Sequence, residues 1–334
     1  MLSRPCVSAI IPTYNRAALL NETLRSLMAQ TVRPDEVIVV DDGSEDETAS
    51  VVAQFFPCVR YIRIANSGAP VARNVGASQA IGDWLWFCDS DDLWHPTYLA
   101  RVLDLAAAQP SLAFIFGNFQ LVHDGKWGGP SKFATAPAGY WDGLGVKRVG
   151  GGAVVTQPLY SRLLRFQPVF HSTLLVSRML FHRIGGYEHR FAGVGSEDFE
   201  FVLRCAVHAP AGMIEDPLVG IRRHPGNYSA GQLRNLLGEI SILRYAQVCH
   251  DRAAQSARAI IDEQIALRTG QALDIAFARR HFDLVRSLAQ SLARRRLTLR
   301  QRLKIALASL PRGVRYPAIG IAERCRGLAM GRLS

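Results

Sequence analysis

The chain of 334 residues lacks the features that would make it a membrane span, a disulfide-stapled domain or a zinc module. No stretch reaches the roughly 18 uninterrupted apolar residues that a membrane helix needs. The six cysteines, Cys6, Cys58, Cys88, Cys205, Cys249 and Cys325, are scattered, with no Cys-x-x-Cys pair and no metal-ligand spacing. That usage points to reduced thiols in a cytosolic compartment. The apolar run Val7 to Ile11 is too short for a secretion signal and no cleavage-like site follows it, so none is expected. With 49% hydrophobic and 20% charged residues the composition excludes disorder. No internal repeat is present.

Basic excess is missing from the first 229 residues, which hold 20 Lys+Arg against 21 Asp+Glu. Residues 230–334 hold 19 against 7 and carry the whole net charge of +11. The chain therefore divides into an acid-balanced domain, residues 1–229, and a basic region, residues 230–334.

The first 120 residues alternate apolar runs with helical patterns. Val7 to Ile11 reads as a strand and Ala17 to Gln30 as a helix with Leu20, Leu24, Leu27 and Met28 on one face. Glu36 to Val40 is a continuous apolar run, as expected of a strand buried on both sides. Ser44-Glu45-Asp46-Glu47 resembles a capping box opening a helix through Phe55. Val59 to Ile64 is a third strand, Pro70 to Ala80 a helix and Trp84 to Cys88 a fourth strand. This β-α order predicts an α/β fold with a mostly parallel sheet, whose ligands bind beyond the carboxyl ends of the strands. Tyr14, Asp41, Asp42, Asn66, Asp89 and Asp91 all fall at those ends and should converge on one cleft. Residues 121–165, rich in Gly and Pro, read as long mobile connections. Val169 to Val176 reads as a strand, Glu197 to His208 as a helix and Gly212 to Ile221 as containing a strand. From Gln232 onward the pattern is helical.

Asp89-Ser90-Asp91-Asp92, directly after Trp84-Leu85-Trp86-Phe87-Cys88, is the most informative motif. Three carboxylates at the end of a buried strand repel one another. A hard divalent cation, Mn²⁺ or Mg²⁺, sharing phosphate oxygens resolves the conflict. The competing reading is a polar turn in which Asp91 or Asp92 caps a helix near Pro96. Tyr14 could stack on a nucleobase while the Pro12 and Thr13 backbone offers polar edges, or it could be a core aromatic with a wet hydroxyl.

Taken together, Val7 to Arg16, Val40-Asp41-Asp42-Gly43-Ser44, Asp89-Ser90-Asp91-Asp92, Gly185-Gly186-Tyr187 and Ser196-Glu197-Asp198 resemble the nucleotide-sugar-dependent glycosyltransferases of family 2 over residues 5–228. The resemblance implies a GT-A fold, a nucleoside-diphosphate-sugar donor, a divalent metal and inversion at the anomeric carbon. Asp42 matches the family position that bonds the base, uracil by preference, with Asp41 supporting it or the ribose. Arg73 matches a basic position near the donor, and its guanidinium suits a diphosphate. Asp91 matches the metal-binding aspartate, and Asp89 faces the ribose or the metal. Asp198 matches the general base that takes a proton from the acceptor hydroxyl. The bland reading of Glu197 and Asp198 is that they favour a helix N-terminus. His224 matches a loop that closes over the diphosphate, where Arg222 or Arg223 could also act.

The implied acceptor is a saccharide or lipid-linked saccharide in cell-surface polysaccharide synthesis. Between Arg279 and Lys304, nine basic residues interleave with Leu284, Leu288, Leu292 and Leu299, as in an interfacial helix on an anionic membrane. A helical cap with a solvated basic face is the alternative. Localisation is expected to be cytoplasmic, peripheral on the inner membrane face if the tail binds lipid. Nothing supports nucleic acid as a partner. A sugar-phosphate nucleotidyltransferase would need a Gly-rich basic loop after the first strand, and Pro12-Thr13-Tyr14-Asn15 is not one. A non-catalytic scaffold has no reason to keep Asp42, Asp91 and Asp198 together.

Overall fold

The computed structural model describes residues 4–208, 210–224, 231–292 and 297–319. Its strands are β1 Val7–Thr13, β2 Glu36–Asp41, β3 Arg60–Arg63, β4 Trp84–Phe87, β5 Leu93–Trp94, β6 Phe114–His123, β7 Lys126–Gly128, β8 Val146–Val149, β9 Gly152–Val155, β10 Leu175–Ser177 and β11 Ala211–Arg222. They form one sheet in the order β3-β2-β1-β4-β10-β6-β11-β9-β8, with β5 on β11 and β7 on β6. Pairing is parallel through β3-β2-β1-β4 and again between β6 and β11. The short strand β10 runs antiparallel to both β4 and β6 and joins the two parallel blocks.

The helices are α1 Ala17–Met28, α2 Thr48–Ala53, α3 Ala69–Gln79, α4 Tyr98–Ala108, α5 Tyr160–Leu163, α6 Arg178–Ile184, α7 Glu197–Cys205, α8 Gln232–Cys249, α9 Asp251–Ser256, α10 Arg258–Ala278, α11 Phe282–Gln290 and α12 Leu299–Ser309. Strand alternation divides the core. Ile10, Ile38, Val40, Leu85 and Phe87 face one apolar layer, with Phe181, Tyr187 and Phe201. Val7, Ala9, Ile11, Val37, Val39, Trp84 and Trp86 face the other, with Leu20, Leu24 and Leu27 of α1. Both faces of β1 and β2 are therefore covered, which is why they read as continuous apolar runs. Gly76 lets α3 lie directly on this sheet, since a Cβ there would stand 2.5 Å from Ile10 Cγ2.

Three sequence expectations need correction. Residues 121–165 are not merely connections: they contain β7, β8, β9 and α5, and bury Tyr140, Leu144, Leu159 and Leu163. Short strands around Gly150-Gly151 carry too few apolar residues to show a period. The run Val169 to Val176 is a strand only from Leu175; His171–Thr173 forms a buried 3-10 turn whose polar side chains serve the cleft. Helix α2 starts at Thr48, not Ser44, because Ser44 bonds elsewhere and Asp46 accepts from the Thr48 N–H at 3.1 Å.

The helices after residue 230 share two cores. Ile242, Leu243 and Ile261 join the sheet's core. Leu233, Ile240, Leu273, Phe277, Phe282 and Val285 build a separate one. The apolar positions of the basic tail divide accordingly: Leu288 and Leu292 are buried, while Leu299 and Leu303 of α12 are exposed. Arg294, Arg295 and Arg296 lie outside the described residues. Among the described residues no helix is long and apolar enough to cross a membrane.

Candidate functional site

The carboxyl ends of β1, β2 and β4 open on a common cleft, and the loops beyond them are fastened to each other by polar contacts. At the end of β1, Pro12 and Thr13 are buried while Tyr14 is 47% exposed, so its ring is not a core aromatic. Asn15 takes a positive φ of 50°, and its N–H donates to Ser44 Oγ at 2.9 Å. At the end of β2, Asp41 accepts from Ser44 N–H at 2.8 Å and from the Tyr61 hydroxyl. Burial first, then that bond, pushes the Tyr61 phenol up to about 12. Asp42 accepts from the N–H groups of Ser67 and Gly68, at 2.7 and 2.8 Å, and thereby holds the loop that enters α3.

The three aspartates after β4 separate into different roles. Asp89, Asp91 and Asp92 place one carboxylate oxygen each within 4.8 Å of one another. Asp92 is 2% exposed, with Ser172 Oγ donating to it at 2.5 Å and the Arg222 N–H at 3.0 Å. Burial, then the charges of Asp91 and Asp89, push its carboxyl well above the usual range. Asp92 is therefore a buried brace rather than an open ligand. Asp91 receives Arg16 Nη1 at 2.6 Å and His224 Nε2 at 3.1 Å, both on Oδ2. Asp89 receives Arg73 Nη2 at 2.7 Å. Two carboxylates, faced here by cationic side chains and an imidazole, form a donor set suited to a hard divalent cation such as Mn²⁺ or Mg²⁺.

Arg73 is 5% exposed, stands 5.5 Å over the Tyr187 ring, and has two buried guanidinium nitrogens, Nε and Nη1, without a hydrogen-bond partner. Burial opposes its charge, but Asp89, Tyr187 and Glu197 together outweigh burial and hold the guanidinium firmly protonated. Arg222 is turned into the scaffold, not the cleft: its Nη1 meets Glu22 at 2.7 Å and its Nη2 the Leu19 carbonyl at 2.8 Å. Arg223 is exposed.

Asp198 enters on the second residue of α7. The preceding Ser196 has a positive φ of 56°, a turn that redirects the chain into the helix. The Asp198 carboxylate is 28% exposed and lies 3.5 Å from His171 Nδ1. Burial works to raise its carboxyl, and His171 and then Arg73 override that, leaving it below the ordinary value. Burial raises Glu197 against the opposing pull of Arg73. One helix start thus presents two carboxylates with opposite tendencies. The Gly193–Ser196 approach is held from behind by α8: a Cβ on Gly238 would stand 2.1 Å from the Gly195 carbonyl, and Ser196 Oγ donates to Glu239 at 3.4 Å.

Pro12, Tyr14, Asp41, Asp42, Asp89 and Asp91 thus lie at or just beyond the carboxyl ends of β1, β2 and β4, His224 reaches Asp91, and Arg73 of α3 links Asp89 electrostatically to Asp198. Four contributors escaped sequence reasoning in any specific role. Arg16 was visible only as the residue after Tyr14-Asn15. His171 and Ser172 sit inside an apolar run, and Tyr187 follows Gly185-Gly186.

A model of the family "Glycosyl transferase family 2" matches residues 8–148, and one of "Glycosyltransferase like family 2" matches residues 153–242. Validoxylamine A glucosyltransferase of Streptomyces hygroscopicus subsp. limoneus is 33% identical over 253 residues, which is 68% of this chain and 54% of that protein. The chain spans 61% of an uncharacterized glycosyltransferase of Haemophilus influenzae at 28% identity, so it covers less than two thirds of the curated relatives it matches. Staphylococcus aureus TarS 1-349 in complex with UDP-GlcNAc superposes with a TM-score of 0.59 at 19% identity, covering 91% of this chain and 79% of that one. The mannosyltransferase PcManGT of Pyrobaculum calidifontis, in complex with GDP-Man and Mn²⁺, gives 0.54 at 22% identity, covering 92% and 85%. The architecture is the GT-A fold, an α/β sheet flanked by helices and followed by a helical C-terminal region. With the family 2 model and a family-2-like model side by side over most of the sheet and its loops, the chain belongs to glycosyltransferase family 2.

Proposed function

We propose that the protein is an inverting glycosyltransferase that moves a sugar from a nucleoside-diphosphate-sugar to a hydroxyl of a saccharide or lipid-linked acceptor in cell-surface polysaccharide synthesis. The observation that carries this reading is the pairing, in one cleft, of the Asp89–Asp91 carboxylates with a separate carboxylate, Asp198, kept ionised by His171 and Arg73.

In this reading Tyr14 stacks on the base, Asp42 bonds its edge, and Asp41 supports the ribose side. Uridine is preferred, in keeping with the UDP-GlcNAc complex of TarS; the GDP-Man complex of PcManGT makes guanosine the competitor. Asp91 and Asp89 hold Mn²⁺ or Mg²⁺, which when bound offsets charge on the departing diphosphate. Arg73 and His224 attract the same phosphates. Asp198 accepts the proton of the acceptor hydroxyl while its oxygen forms the new bond to C1. The C1–O bond to the diphosphate breaks, and its electron pair leaves with that group. One base and one displacement invert the anomeric carbon.

Residues 1–229 carry this chemistry, and within the basic region 230–334 helix α8 braces the loop that enters α7. We place the enzyme in the cytoplasm, with α12 as the membrane-facing element, because Leu299 and Leu303 are exposed beside Arg300 and Arg302. Flotation of the full chain with anionic vesicles should weaken when Leu299 and Leu303 become Ser; unchanged flotation contradicts this part.

The test of the reaction is the configuration of the sugar first released from UDP-GlcNAc with Mn²⁺ and water as acceptor, followed by proton NMR. An α-linked donor should yield the β anomer first. The α anomer first would overturn the single-displacement account.

A further inference from the structure

We propose that His171 is the positioning residue of Asp198: a neutral imidazole, oriented by Tyr187, that directs its Nδ1–H at the carboxylate. This rests on the reading of Asp198 as the base.

The three residues come from separate pieces of chain, the His171–Thr173 turn, the segment after Gly185-Gly186, and the start of α7. His171 is 1% exposed and wedged between the rings of Phe87 and Tyr187, at 6.2 and 5.2 Å. Its Nε2 is bonded to the Tyr187 hydroxyl. Its Nδ1 is buried without a hydrogen-bond partner, and faces Asp198 Oδ2 at 3.5 Å. At that distance the contact is long for a hydrogen bond, and the Asp198 carboxylate is the group Nδ1 faces. An isolated buried ring nitrogen costs stability unless the site uses it.

The direction of the proton follows from chemistry. Burial pushes the Tyr187 phenol well up, so it keeps its hydrogen and can donate it to Nε2. A neutral imidazole that accepts at Nε2 carries its own hydrogen on Nδ1. The opposite tautomer would aim a lone pair at a carboxylate. The doubly protonated ring is disfavoured by burial and then by Arg73 of α3, against the pull of Asp198 and Asp89. Asp198 itself is faced by His171, by Arg73 and by its neighbour Glu197 on α7. The arrangement keeps one carboxylate oxygen fixed and the other turned to the acceptor. No proton passes on to His171, because Nδ1 already carries one.

The test is ¹⁵N NMR of the full chain labelled at histidine, with His171 identified by the signal lost in His171→Asn. If that variant does not fold, the resonance shifted in Tyr187→Phe serves instead. The expected pattern is a protonated Nδ1 and a bare Nε2, unchanged between about pH 5 and 8. An Nε2–H tautomer, or titration within that range, overturns the proposal. In turnover of UDP-GlcNAc with Mn²⁺, His171→Leu should move the acid limb of kcat/KM up by about one pH unit, the scale of one lost charge-assisted contact. His171→Asn, whose amide can replace Nδ1–H, should restore it, and coincident acid limbs would count against the proposal. Asp198→Asn separates the two readings. Full turnover in that variant defeats the base assignment whatever the tautomer. Its loss together with the wrong tautomer defeats only the role of His171.

Discussion

Arg16 and Asp91 meet across the cleft, with guanidinium Nη1 2.6 Å from carboxylate Oδ2, on the oxygen that His224 also approaches at 3.1 Å. A divalent cation taken up by Asp91 must share or displace that guanidinium. Arg16→Gln should therefore tighten Mn²⁺ binding to the donor-free protein by about tenfold, the value of one charge-assisted contact. Mn²⁺ titration followed by electron paramagnetic resonance reads this directly. Weaker binding in the variant would mean that Arg16 supports the cation site instead of competing with it.

Tyr14 presents a half-exposed ring at the end of β1 and contributes little to the core. Tyr14→Ala should weaken UDP binding by about 1–3 kcal/mol, the range of one base–aromatic stack, with no change in Tm. Calorimetry with UDP and a thermal melt measure both. Equal affinity would remove Tyr14 from the donor site.

Gly238 of α8 touches the loop leading to Asp198, leaving no room for a Cβ beside the Gly195 carbonyl. Gly238→Ala should cost about 1–3 kcal/mol through overpacking and lower donor turnover along with it. Denaturant unfolding and nucleotide release are the readouts. Wild-type turnover in a destabilised variant would show that the loop tolerates displacement.

Glu200 is 1% exposed and paired with Arg204 at 2.6 Å and His250 at 3.2 Å. Burial raises its carboxyl, and the bonds from His250 and Arg204 outweigh burial, so its folded value lies below the ordinary 4.5. A depressed carboxyl contributes stability above its unfolded pKa and loses it as pH falls through the folded value. Glu200→Gln should lower stability at neutral pH by about 3 kcal/mol and flatten the decline of Tm below pH 4.5. An unchanged acid profile would contradict this assignment.

The strand-end carboxylates were legible in the sequence because they interrupt an apolar run at a position where parallel sheets bind ligands. Asp89 and Asp91 needed only local pattern. The reason Asp92 stands apart did not show, since it is held by Ser172 and Arg222, which lie 80 and 130 residues away. His171 was hidden for the same reason: an apolar run with one imidazole reads as strand, and its contact with Asp198 exists only in the fold. The short strands β8 and β9 escaped because four residues each, flanking a glycine turn, carry no readable period.

The central claim is that Asp91 anchors a cation-dependent donor site. Release of free nucleoside diphosphate from UDP-, GDP- and dTDP-sugars, with and without Mn²⁺, tests it in wild type and Asp91→Asn. The account predicts Mn²⁺-dependent release from one donor, lower by on the order of a hundredfold in the variant. Equal rates in the two proteins, or nucleotide binding by neither, would contradict it.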